Sequence, residues 1–210
     1  SAATSVTYNP VTDDHESVSI HLYIDKTLYS MIGVRGNCKM NLTAQAVPKL
    51  EFEFTGLFVK PVEGTRPTAD LSSFQAPKVV TKANTPTFSI AGTDFVMKSA
   101  MLDLGNVVEG RFLVGQEEVL ITDKSETFDS TVNAVAISAF DPFTLAQDQT
   151  KSAISLVHGT AAGKIATLGI PAAQMQRLQG LSNSQNIKEW PLKLVPLPVA
   201  GNDQWTLTLT

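Results

Sequence analysis

Apolar and polar residues alternate with a period of two along much of this chain, the pattern of strands that have two distinct faces. Val18, Ile20, Leu22 and Ile24 alternate with Ser19, His21, Tyr23 and Asp25, and Leu28, Ile32 and Val34 continue the run. A three-residue turn at Asp25-Lys26-Thr27 would set Ile24 opposite Leu28, Ile20 opposite Ile32 and Val18 opposite Val34, so a hairpin is expected. A longer pair follows. Cys38, Met40, Leu42 and Ala44 alternate with Lys39, Asn41, Thr43 and Gln45; Leu50, Phe52 and Phe54 alternate with Lys49, Glu51, Glu53 and Thr55. A slip of one residue would exchange the faces, so the connection must hold an odd number of residues. Ala46-Val47-Pro48 meets that condition, pairing Leu42 with Phe52, Met40 with Phe54, Thr43 with Glu51 and Asn41 with Glu53. The ribbon from Cys38 to Thr55 then has one dry face, for the core of the subunit, and one wet face.

Residues 60–87 are rich in Pro, Thr and Ser, with Pro61, Pro67, Pro77 and Pro86, and lack clear periodicity. They read as a long loop or arm, of a length that is usually functional in a compact domain. Beyond it a short hairpin is expected over Phe88–Met97 around Ala91-Gly92-Thr93, a strand over Phe112–Thr122 with turn signals at Gly110 and Gly115, and another over Val132–Ile137. Asp141 before Pro142 supplies a capping oxygen and a proline at the first helical position, predicting a helix from Pro142 to about Gln149. Ala153–His158 and Lys164–Ile170 flank a further turn, and 171–179 fits either a helix or a continued strand. Trp190–Val199 is extended, its prolines placing it at a sheet edge, and Trp205, Leu207 and Leu209 mark a final strand.

Repeated hairpins with a single short helix predict a mainly β fold, an antiparallel two-sheet sandwich or barrel with one flanking α-helix, formed by one domain over residues 1–210. Residues 1–16 contain few apolar side chains and are expected to form an arm that orders against a neighbouring subunit.

Composition narrows the function. Only 17% of residues are charged, below the roughly 25% usual for soluble domains, which suggests that part of the surface is covered by something. The net charge of −4 argues against tight, phosphate-driven nucleic-acid binding. The single Cys38 excludes an intramolecular disulfide and thiol-rich metal sites. No apolar run approaches the length of about 20 residues that spans a bilayer, so no membrane anchor is expected.

Candidate chemistry is thin. Gly159-Thr160-Ala161-Ala162-Gly163-Lys164 has its glycines one residue too close for a phosphate loop, and Ile165 stands where a metal-binding hydroxyl belongs. Asp13-Asp14-His15-Glu16 offers metal-ligand types, but adjacent residues cannot all converge on one ion. His15, His21 and His158 lie apart with no nucleophile motif, and Cys38 falls on an apolar face where a thiol acts as a small hydrophobe. Glu51 and Glu53 share a face as an acid/base pair would, yet Lys39 and Lys49 share it too, as on any solvated strand. No catalytic residue, cofactor site or metal site is expected, and the chain does not read as an enzyme.

The run Val18-Ser19-Ile20-His21-Leu22-Tyr23-Ile24-Asp25, then Met31-Ile32-Gly33-Val34-Arg35-Gly36-Asn37-Cys38, resembles the opening of the phage tail tube proteins, in which a hairpin leads through a glycine-containing bend into a long second hairpin. Leu50-Glu51-Phe52-Glu53-Phe54-Thr55-Gly56-Leu57-Phe58, Leu104-Gly105-Asn106, Glu117-Glu118-Val119-Leu120-Ile121-Thr122-Asp123 and Ala200-Gly201-Asn202-Asp203-Gln204-Trp205 are similar as well. The resemblance implies a structural virion protein, closer to the non-contractile than the contractile tails, whose hexameric rings stack into a hollow tube assembled in the bacterial host cytoplasm. Its implied partners are other copies of itself, a tape-measure protein, tail terminator and tail-tip proteins, and phage DNA in transit without sequence-specific binding. About four strands per subunit in a six-fold ring, at roughly 4.8 Å spacing and a tilt near 45°, would give a backbone diameter on the order of 50 Å. On this reading Lys39, Asn41, Thr43, Gln45, Lys49, Glu51, Glu53 and Thr55 face the lumen. The alternative is a monomeric carbohydrate- or protein-binding β-sandwich of a virion fibre or adhesin, with the Pro-rich loop as its recognition element.

Overall fold

The computed structural model describes residues 5–210. Fifteen strands and one helix follow in the order β1 (Val6–Tyr8), β2 (Val18–Ile24), β3 (Thr27–Thr43), β4 (Lys49–Glu63), β5 (Thr87–Ile90), β6 (Thr93–Asp94), β7 (Met97–Asp103), β8 (Asn106–Leu113), β9 (Gln116–Lys124), β10 (Thr127–Asn133), α1 (Pro142–Gln147), β11 (Lys151–His158), β12 (Ala166–Met175), β13 (Ser182–Ser184), β14 (Ile187–Pro196) and β15 (Thr206–Leu209). The fold is mainly β, with one short helix. Thirteen strands form one sheet, nine of them along the path β2-β3-β7-β10-β14-β12-β11-β5-β6, with β4 beside β3, β13 beside β14, and β15 joining β12 to β1; β8 with β9 makes a small second sheet. The sandwich is therefore largely one sheet folded over. Met40, Leu102, Phe128 and Leu192 from one half meet Ile90, Ile154, Leu156 and Ile170 from the other in a single core.

β3 organises the sheet. Its first part pairs with β2, its last part with β7, and almost its whole length with β4. The first hairpin closes through two residues, Asp25 and Lys26, rather than three, so Ile24 faces Thr27 and Ile20 faces Met31. Asp25 takes φ +52°, a left-handed geometry that Asp tolerates and that suits the twist of a tight hairpin. A bulge between Val18 and Ile20 absorbs the difference and restores the expected pairing of Val18 with Val34.

In the second hairpin the ladder ends at Asn41 opposite Lys49, so seven residues separate the last paired positions instead of three, Leu42 and Thr43 among them still belonging to β3. Seven is also odd, so the two faces keep their identity while Cys38 rather than Leu42 stands opposite Phe52. The cause is tertiary. Leu42 and Thr43 pair with Ala100 and Ser99 on β7, and the turn is tied to Val80 by the Gln45 N–H donating to the Val80 carbonyl and the Val80 N–H to that of Ala46.

β4 runs on to Glu63, so the arm begins later than the composition suggested. Pro61 is accommodated because β4 has no neighbour beyond β3. Every residue from 65 to 78 is exposed, whereas Val80 is buried. Of the expected N-terminal arm, Ser1–Thr4 lie outside the described residues. Val6–Tyr8 do not wait for a neighbour, because they pair with β15 of the same chain.

The strand expected over Phe112–Thr122 is the two-stranded β8–β9 hairpin, divided at Val114-Gly115 where Gly115 takes φ +90°. The expected 132–137 strand lies earlier, at β10, where inward Ser130 hid the alternation of Phe128 and Val132. Pro171 continues β12 rather than starting a helix, within a bulge where Pro171 and Ala172 stand opposite Ala153 of β11. The edge placement of the Trp190–Val199 segment is wrong. β14 lies between β10 and β12, Pro191 sits where only β10 is paired, and Pro196 ends the strand.

The helix is capped as expected, with the Asp141 carboxylate accepting from the N–H groups of Phe143 and Thr144 at 2.9 and 3.1 Å. Phe140 ties its start to the core, edge-on to Phe95 at 4.9 Å and 6.1 Å from Trp190. Among the described residues no helix is long and apolar enough to cross a membrane. Phe128 is fully buried where the two halves meet, so Phe128→Ala should lower unfolding free energy by about 3–5 kcal/mol. Urea denaturation monitored by Trp fluorescence checks this; a loss under about 1 kcal/mol would mean the halves do not share one core.

Candidate channel-facing surface

The wet side of the ribbon continues across five strands, because antiparallel register carries one face from β4 through β3, β7 and β10 to β14. One row reads Glu51, Lys39, Asp103, Thr127; the next Lys49, Asn41, Met101, Asp129, Lys193; a third Thr43, Ser99, Thr131, Pro191. Seven of the eight expected residues lie on this face: Lys39, Asn41, Thr43, Lys49, Glu51, Glu53 and Thr55. Gln45 does not belong to the ladder. It sits in the turn at φ +64°.

The face carries four carboxylates (Glu51, Glu53, Asp103, Asp129) against three ammonium groups (Lys39, Lys49, Lys193) and the Arg35 guanidinium at one end, so it is balanced in charge. Asp103, Asp129 and Lys193 escaped sequence reasoning because they are distant in the chain and only strand order brings them beside β3. Asp103 is the best-held group. Lys39 Nζ lies 3.2 Å from its Oδ2, Asn37 Nδ2 donates to Oδ1 at 2.8 Å, and the Gly105 N–H donates to the same oxygen at 2.9 Å. Burial alone would raise this carboxyl, but those hydrogen bonds and the Lys39 charge outweigh it and hold it below its ordinary value of 3.8.

One end of the face is occupied within the chain. Arg35, opposite Thr55, donates to the Val119 carbonyl on β9 and, at 2.7 Å, to that of His15. Asn37, opposite Glu53, accepts from the Asn106 N–H at 3.0 Å. Gly105 is the pivot from which the β8–β9 hairpin leaves the body, at φ +62°, and a Cβ there would stand 2.0 Å from the Ser125 carbonyl oxygen.

The dry side departs from expectation. Cys38 and Met40 are buried, but Leu50, Phe52 and Phe54 on β4 are 52%, 55% and 42% exposed. Phe52 and Phe54 stack on each other at 5.5 Å. Between this side and β12 and β15 lies an apolar groove of about 580 Å³, with Met40, Leu50, Phe52, Trp205 and Leu207 in its walls. Farther along the ribbon Leu22, Ile24, Tyr29, Phe58 and Val62 are exposed as well.

The other candidates stay apart. Among the described residues no three His, Cys, Asp or Glu side chains gather as a metal site. Residues 159–164 form part of the connection from β11 to β12. His21 Nδ1 pairs with Ser30 Oγ at 2.8 Å, and His158 Nδ1 with Thr85 Oγ1 at 3.0 Å. Burial, with the Asp103 charge behind it, pushes the Cys38 thiol up to about 11, so it stays protonated and unreactive near neutrality. No protein-family model matches the chain, and no curated protein matches it significantly.

A carboxyl depressed in the folded state contributes stability that is complete above its ordinary value and lost as pH falls through the lower folded value. Asp103→Asn should therefore flatten the decline of the urea midpoint below about pH 4 and leave the shape of the profile above it unchanged. A variant profile parallel to the parent's throughout would show that the Asp103 interactions contribute nothing.

Proposed function

We propose that this chain is a structural subunit that assembles with copies of itself into stacked rings, in the manner of the phage tail tube proteins it resembles, with the polar sheet face lining the channel through which DNA passes. One observation carries the reading: β4 presents fifteen residues of strand with no neighbour beyond β3, and its Leu50, Phe52, Phe54, Phe58 and Val62 are exposed. Proteins that work alone blunt such edges with charge, bulges or covering loops. β4 carries charges, Pro61 and register irregularities of that kind, yet its row of apolar side chains stays open, and strands from another copy would cover it.

The polar face fits a channel wall. Its near balance of charge gives passing phosphates no uniformly basic groove to hold them, although a shallow polar hollow of about 530 Å³, with Asn41, Thr43, Asp129, Arg177 and Lys193 in its walls, lies on it. The six-fold ring, the tape-measure protein, and the terminator and tip proteins enter from the resemblance alone. The same exposed edge weighs against the monomeric carbohydrate- or protein-binding module, which would gain nothing from leaving it open.

Phe58 is 81% exposed, so Phe58→Asp should leave the subunit's urea stability within about 0.5 kcal/mol while abolishing assembly. Analytical ultracentrifugation and negative-stain images of concentrated protein check both parts. The parent should give rings or tubes and the variant isolated globules. A parent that stays globular with tape-measure and tip proteins present, or a variant that assembles normally, would overturn the proposal.

A further inference from the structure

We infer that the tip of the β8–β9 hairpin of one copy seats in the apolar groove of a second copy, a head-to-tail contact that rests on the self-assembly reading above. The hairpin ends in Phe112-Leu113-Val114-Gly115, where Phe112 is 66% exposed, Leu113 50% and Val114 wholly so. Turns that project into solvent are ordinarily polar, and three successive apolar side chains at one tip mark a contact surface. The groove is the matching recess, and no residue of 106–124 lines it in its own chain. Protrusion and recess are each left unfilled by the molecule that carries them.

Charge selects this occupant. The hairpin carries Glu109, Glu117 and Glu118 against Arg111 around its tip. The groove and the hollow adjoining it, which share His158, Ala166 and Leu209, include Lys164, and Lys49 at the end of β4 where the groove meets the polar face, and no carboxylate side chain. An acidic hairpin thus meets a basic rim, the arrangement that fixes partner and orientation across an interface. Another exposed apolar segment, the arm with Leu71 and Phe74, carries Arg66 and Lys78 against Asp70. It would bring like charge to that rim, which disfavours it. Tip and groove are different patches of one chain, so the contact repeated head to tail builds a ring or a filament, whereas a two-fold arrangement would satisfy both patches in a closed dimer and give no ladder on cross-linking.

The test uses the full chain with Cys38→Ala, so that only introduced thiols react. Leu50→Cys with Val114→Cys should give, on mild oxidation, a ladder of disulfide-linked species beyond the dimer. Either substitution alone can give a dimer at most. Leu50→Cys with Phe74→Cys should give no ladder; a ladder there and none with Val114→Cys would make the arm the occupant and overturn the inference. Glu117→Lys with Glu118→Lys should weaken self-association on the order of tenfold, and mixing with a Lys49→Glu, Lys164→Glu chain should restore it. Rings or tubes without the Val114 ladder would overturn this contact and leave the tube reading standing. A ladder without rings or tubes keeps the contact and defeats the tube reading. Protein that stays monomeric defeats both.

Discussion

The pairing of β3 is the constraint on which the rest of the structure depends. One seventeen-residue strand holds β2 and then β7 on one side and β4 on the other. Its ladder with β4 shifts by one residue between Leu28 and Ser30 and shifts back between Ile32 and Arg35, so the two irregularities cancel. Below them the parity of the strand assigns every side chain from Arg35 to Thr43 to a face, and β7, β10 and β14 inherit that assignment through their own registers. The buried Met40, Leu102, Phe128 and Leu194 on one side and the polar rows on the other follow from this single choice.

The same constraint leaves β4 at the rim. Its backbone is satisfied on one side only, and its apolar side chains stand beside a groove that the chain does not fill. Burying one Leu or Phe fully is worth about 1.5–3 kcal/mol, so a contact covering several of these residues can offset the rigid-body entropy of association. Under the proposed assembly the low share of charged residues would have the same origin, since a surface that is covered has less need of solvating groups. The self-assembling tube subunit proposed above would account for edge, groove and polar face together.

Much of this was legible in the sequence, and the failures have physical causes. Period-two alternation located the first two hairpins, the β11–β12 pair and the last strand, and Asp141-Pro142 located the helix, because those signals are local. The odd-number rule kept seven polar-face residues on one side although seven residues separate the last paired positions, since parity survives any even slip. Register itself was misjudged because Leu42 and Thr43 answer to β7, sixty residues away in the chain. Asp103, Asp129 and Lys193 could be found only through strand order. The dry face was assigned to the subunit core because alternation reports that a face is apolar and not what covers it. Phe52 and Phe54 meet that description while lying open. Proline misled once, at β14, where a strand paired on one side for part of its length tolerates Pro191 inside a central position.

The most direct measurement is a cryo-EM reconstruction of the assembled particle at a resolution that places side chains. The account predicts a hollow tube with Lys39, Asn41, Thr43, Lys49, Glu51, Glu53 and Thr55 on the channel wall and the β4 edge paired with a neighbouring subunit. A particle whose bore is lined by other residues, with this face buried between subunits or turned outward, would contradict it.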